Sequence, residues 1–270
     1  MSPREYQQML AVLRLELRKT FFSKRSWWVY LLAFGPTLVC FVHGASARHR
    51  GELAEDTMIF AGIFQFYYLK LAIFFGCLGI FSNLIRGEML EKTLHYYFLT
   101  AARREVLLWG KYLAGLAASL IIFTSAVTLA FFFIRMHLGQ VFQDYLVHGP
   151  GLAQLQSYVA VTVLASIGYG SVFLLLGLLY RNPMIPAALV MIWEAISGYL
   201  PTLLQKMSMS YYLKSLTPVQ LGAEGPLALI AVAVEPAPPE LAVTGLLLLS
   251  AALLMYASRK VRTLEISYSE

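Results

Sequence analysis

The sequence predicts an all-α, polytopic membrane protein, and three observations carry that prediction. Of 270 residues, 59% are apolar and 13% charged, against about 45–50% and about 25% in an ordinary soluble domain. The apolar residues come in continuous runs such as Leu71 to Phe81 and Leu241 to Tyr256, where the lipid-facing strands of a barrel would alternate. Basic residues collect on every second connection between those runs, as cytoplasmic loops do. The same composition excludes a disordered chain, and two cysteines cannot build a disulfide scaffold. At about 20 residues per crossing the chain holds some six helices and leaves no room for a folded soluble domain, so residues 1–270 read as a single transmembrane domain.

Taken in order, the first element covers residues 3–23. Tyr6, Met9, Leu10, Leu13, Leu17 and Phe21 recur at three- and four-residue steps, while Arg4, Gln7, Gln8, Arg14 and Arg18 take the other face. This is an amphipathic helix expected to lie in the inner interface, its basic face toward anionic headgroups, with Trp27-Trp28 marking where the chain turns into the bilayer. It is too charged for a signal peptide and has no small-residue cleavage site, so it is expected to be retained. Six spans follow, at 27–42, 58–84, 112–134, 158–180, 184–204 and 241–257, the first and last short for a full crossing. Between the last two runs a long connection, with an apolar stretch Pro226 to Val234 ended by Glu235-Pro236-Ala237-Pro238-Pro239. Nine residues make about 14 Å of helix, half a bilayer, so this is read as a re-entrant or interfacial piece rather than a seventh span.

Orientation follows from Lys and Arg. Arg4, Arg14, Arg18, Lys19, Lys24 and Arg25 precede the first span; Arg86, Lys92, Arg103, Arg104 and Lys111 join the second to the third; Arg181 joins the fourth to the fifth; Arg259, Lys260 and Arg262 follow the sixth. The other connections hold only Arg48, Arg50, Arg135, Lys206 and Lys214. Both termini are therefore expected in the cytoplasm, in the inner (plasma) membrane. The net charge of +6 is accounted for by these anchors, and no nucleic-acid partner is expected. Cys40 and Cys77 read as small buried hydrophobes within spans. His43, His49, His137 and His148 fall in outward connections at spacings that fit no ligand pattern, so no metal site is expected.

The connection at 86–111 is the most informative. It runs from a charged turn through a short amphipathic helix, a break near Thr100 and a basic pair to an apolar run closed by Gly110-Lys111. A plain linker has no use for Leu94, Tyr97, Phe98 and Leu99, and a solvated loop should not expose them. Either they lie on the membrane or they plug into a groove on another protein. In this stretch the chain resembles the permease subunits of ABC exporters of the type 2 superfamily, whose first cytoplasmic loop commonly reads Glu-x-x-x-Gly-Thr-Leu-Glu, Thr-Pro-x-x-Arg and Gly-Lys. Glu88, Thr93, Leu94, Thr100, Arg103, Arg104, Gly110 and Lys111 stand at matching spacing, with Lys92 in place of the usual Gly and Ala101 in place of the usual Pro.

The resemblance implies six helices, an N-terminal elbow helix, and a coupling helix in this loop that docks on a separate ATP-binding subunit through Glu88, Glu91, Lys92, Thr93, Leu94, Phe98, Thr100, Arg103 and Arg104. It implies two ATPase copies and a second permease chain, identical or paralogous, and re-entrant helices before the last span. No Gly-x-x-x-x-Gly-Lys-Ser/Thr loop occurs, so this chain is expected to carry no cofactor and no catalytic residue, with ATP and Mg on the partner. An intramembrane enzyme or a purely structural membrane subunit is the alternative; His-Glu-x-x-His and a Glu-Glu pair are both absent. Two charges fall within the spans, Lys70 and Glu194, at roughly 20 and 15 Å from the cytoplasmic ends. They either pair in the protein interior, or Lys70 snorkels outward while Glu194 is protonated.

Overall fold

The computed structural model describes residues 3–22, 26–46, 52–90, 103–221 and 237–263. Among them it is all helix. The order is α1 (Pro3–Phe22), α2 (Trp27–Ala45), α3 (Leu53–Gly62), a π-helical segment (Ile63–Ile73) and α4 (Phe74–Leu90); then α5 (Arg104–Ile134), a 3-10 turn (Met136–Leu138), α6 (Gln140–Val147) and α7 (Gly151–Leu179). The chain continues through α8 (Met184–Ile196), a 3-10 turn (Ser197–Tyr199), α9 (Thr202–Gln205) and α10 (Met209–Ser215) to α11 (Pro239–Arg262).

Among the described residues five helices are long and apolar enough to cross a membrane: Trp27–Ala45, Leu53–Gly87, Arg104–Leu138, Gly151–Leu179 and Pro239–Arg262. This is the signature of a multi-pass membrane protein. The first and last are full length, 19 and 24 residues, because the sequence runs were cut at flanking charges and small residues that in fact continue each helix. The run at 184–204 is the one that falls short. Its helix stops after 13 residues and tightens into the 3-10 turn, where Ser197, Gly198 and then Pro201 end it. The expected re-entrant piece at 226–234 lies outside the described residues.

Helix α5 is the spine: α1, α2 and α7 all pack along it, and α7 in turn carries α4 and α11. The middle of this core is aromatic. Tyr158 meets the rings of Phe60 and Phe64 edge to face at 4.9 and 4.6 Å, and Phe74 does the same with Tyr169 and Phe173 at 5.3 and 4.9 Å. One polar cluster inside is satisfied locally. The hydroxyls of Thr37 and Tyr68 lie 2.9 Å apart, and Thr37 also donates to the Ala126 carbonyl at 3.1 Å, which joins α2, the π segment and α5 without water. Cys40 and Cys77 are buried and unbonded.

Candidate functional site

Three polar constellations interrupt this apolar bundle. The first lies where α1, α5 and α11 meet. Of the expected coupling residues, Glu91, Lys92, Thr93, Leu94, Phe98 and Thr100 lie outside the described residues, as does the side chain of Glu88 in the last turn of α4. Arg103 and Arg104, which open α5, are placed. Arg103 Nη1 lies 3.3 Å from Glu5 of α1. Arg104 donates to the carbonyl of Arg262 at 3.2 Å, and Arg262 pairs with Glu105.

Two turns further along α5, the Gly-Lys pair has a clear structural use. A Cβ on Gly110 would stand 3.0 Å from Val12 Cγ1 and 3.1 Å from the Met9 carbonyl, so the bare backbone is what lets α1 approach. Lys111 then donates to Glu16 at 2.7 Å, both side chains 4% exposed, with Lys19 approaching the same oxygen at 3.9 Å. A buried ammonium without such a partner would be prohibitive. Helix α1 therefore has a third, protein-facing side, made of Glu5, Val12 and Glu16, beyond the apolar and basic faces its periodicity displayed. An acid at position 16 among apolar and basic neighbours was the one available signal.

The second constellation gathers the deep charges. Lys70 and Glu194 do not pair in the structure. The Lys70 ammonium sits 5.1 Å from the Phe66 ring centre, a cation–π arrangement. Glu194 serves instead as the N-terminal cap of α10: one oxygen accepts from the Met209 N–H at 3.0 Å, the other from the Ser210 N–H at 2.8 Å and the Ser208 hydroxyl at 2.7 Å. Ser197 Oγ lies 3.0 Å from Ser208 Oγ. Three donors and a helix N-terminus hold the carboxylate with no cation in ion-pair contact. Gln65 of the π segment donates to the Val219 carbonyl at 2.7 Å and reaches Thr217 Oγ1 at 3.3 Å. The same short helix ends in Lys214, whose ammonium burial and the neighbouring Lys70 charge push below its ordinary value, the field of Glu194 opposing them. Gln65, Ser208, Ser210, Lys214 and Thr217 carry no motif, and sequence reasoning passed over them.

The third lies where the α5–α6 junction meets α2 and α3. Asp56 is fully buried, with His43 Nε2 3.3 Å from one oxygen and His137 Nε2 3.6 Å from the other. Arg135, also fully buried, donates to the Phe131 carbonyl at 3.0 Å and lies 4.1 Å from that residue's ring centre. Its other Nη faces the Thr57 hydroxyl at 3.4 Å. The sequence placed these histidines in outward loops, and the structure draws two of them onto one carboxylate that ties α2 and α3 to the end of α5. Among the described residues no group of three or more His, Cys, Asp or Glu is arranged to hold a metal ion. No protein-family model matches the chain, and no curated protein matches it.

Proposed function

We propose that this chain is the membrane-spanning permease subunit of an ATP-driven exporter of the ABC type 2 kind. In this reading it crosses the inner membrane six times, α8 and its 3-10 extension making the fifth crossing, with both termini in the cytoplasm and α1 as the elbow helix. The loop 86–111 carries the coupling element. It docks on a separate ATP-binding subunit, which supplies ATP, Mg and hydrolysis, so this chain is not itself an enzyme. Two such permeases and two ATPases make the working unit.

The observation that carries the reading is the fastening of α1 to α5 immediately beside the coupling segment. The residues that the resemblance singles out after the loop, Arg103 and Gly110-Lys111, are those that hold α1, through Glu5 and Glu16. A rigid abutment of this kind is what a docking loop needs if force delivered there is to reach the spans.

Replacing Leu94 and Phe98 by Asp tests it. The double variant should insert and fold as the wild type does, yet lose pull-down of an ATPase subunit co-expressed from a neighbouring gene, along with any permease-stimulated ATP hydrolysis. Unchanged pull-down by a correctly inserted variant sinks the reading.

A further inference from the structure

Helix α8 is fastened at its two ends and hardly at all between them. A turn, Tyr180 to Pro183, joins it to the end of α7. Tyr180 there is extended and Asn182 Oδ1 accepts from the Met184 N–H at 3.1 Å; the turn is largely exposed, the kind of connection that absorbs a hinge's dihedral change. Along the helix only Ala187 is buried among the described residues, so little packing resists its displacement. At the far end the bonds converge on Glu194, which accepts from the N–H groups of Met209 and Ser210 and from the Ser208 hydroxyl. The loop between closes on itself, since Gln205 Nε2 donates to the carbonyls of Leu200 at 2.8 Å and Gly198 at 3.3 Å. A Cβ on Gly198 would meet nothing within 4 Å, which leaves this turn room to bend.

What Glu194 grips is itself anchored. Helix α10 packs on α7 and α11 with Met209 and Leu213 buried, and Met209 Sδ stands 3.1 Å from where a Cβ on Gly168 of α7 would lie. Gln65 bonds to Thr217 and Val219 just beyond it. We propose that α8 is a latched strap, turning on Tyr180 to Pro183 and held closed against α7 by the grip of Glu194 on the first turn of α10. Release parts α8 from α7 along the Ala187 line and opens the bundle sideways beside Ser208 and Ser210. A carboxylate within a span is costly and marks function, and here a single side chain sets the balance between two positions of a helix. The latch belongs to this chain alone and needs no ATPase, so its failure and that of the permease reading are separable.

The test uses nitroxide pairs in the full chain in nanodiscs, with Cys40→Ala and Cys77→Ala. Labels at Leu189 on α8 and Ile121 on α5 report the strap; labels at Ile121 and Leu152 on α7 report the bundle. The three sites are 65%, 56% and 52% exposed. The otherwise unaltered chain should give one narrow 189–121 distance. Glu194→Ala should add a second, displaced distance, the share of open molecules rising by roughly tenfold as for a lost helix cap, while the 121–152 distance stays as it was. Glu194→Gln, which keeps an acceptor oxygen without the charge, should fall between. Ser208→Ala removes one of the three donors, should shift the same distance less, and serves if Glu194→Ala does not fold. A 189–121 distance that stays narrow and unmoved in these variants shows that α8 is held elsewhere and overturns the proposal. Equal broadening of both distances makes Glu194 a residue of the general fold and overturns it as well.

Discussion

Lys214 shows how one side chain sets a pH dependence. Burial and the Lys70 charge disfavour its protonated form in the folded chain, so its folded value lies below the ordinary 10.5. Between those two values the unfolded chain holds more protons than the native one, and stability therefore rises with pH across that window and is lost as pH falls through the folded value. Unfolding in zwitterionic nanodiscs should show a midpoint that climbs as pH rises toward 10.5 in the wild type and climbs less in Lys214→Met. Equal slopes for the two would show that Lys214 is not the group responsible. Residue type alone marked Lys70 and Glu194 as charges out of place. It could not name what Glu194 binds, because two of its three donors belong to the backbone N–H groups of Met209 and Ser210, which any sequence would offer equally.

Helix α1 and the first turns of α5 are held by one desolvated ion pair, Glu16 with Lys111, and one peripheral pair, Glu5 with Arg103. The two are not equal. Arg103 is 76% exposed at its side chain, and such a pair contributes about 0–1 kcal/mol. Breaking the buried pair removes the shortest contact of a desolvated carboxylate. Lys111→Met should cost about 3–5 kcal/mol, and Lys111→Met combined with Glu16→Leu should regain most of the loss. Denaturation in detergent measures both; a double variant as unstable as the single one would show that the helices are held by Val12 at Gly110 and not by charge. The existence of α1 was readable from its three- and four-residue spacing, as were the long runs of α5 and α7. The π segment was not, because its residues, Ile63 to Ile73, are as apolar as the α-helices on either side, and the extra residue per turn leaves no mark in composition. Nor was the early end of α8, since Met184 to Leu204 is apolar almost throughout and the stop is made by Ser197, Gly198 and Pro201.

Among the described apolar helices, α2, α8 and α11 leave the largest share of their surface uncovered. Among the described residues α8 buries only Ala187, while Met184, Ile185 and Leu189 are 65–68% exposed. Lipid can cover such surfaces, and so can a second copy of the chain, as the proposed permease reading requires. Mass measurement of the purified complex in nanodiscs should give two permeases with two ATPases; a functional particle with a single permease would contradict the assembly. Charge asymmetry between connections supports an expected orientation only, whereas contacts among α2, α3 and α5 at Asp56 depended on three distant stretches meeting and could not be read in advance. The brevity of α8 bears on the solvent itself. Thirteen residues rise about 20 Å, the 31 of α5 about 46 Å, and the hydrocarbon layer is about 30 Å thick. If α8 and its 3-10 turn make a crossing, as proposed above, lipids beside them must shorten or tilt to match, and a local thinning of the bilayer accompanies the protein wherever it diffuses.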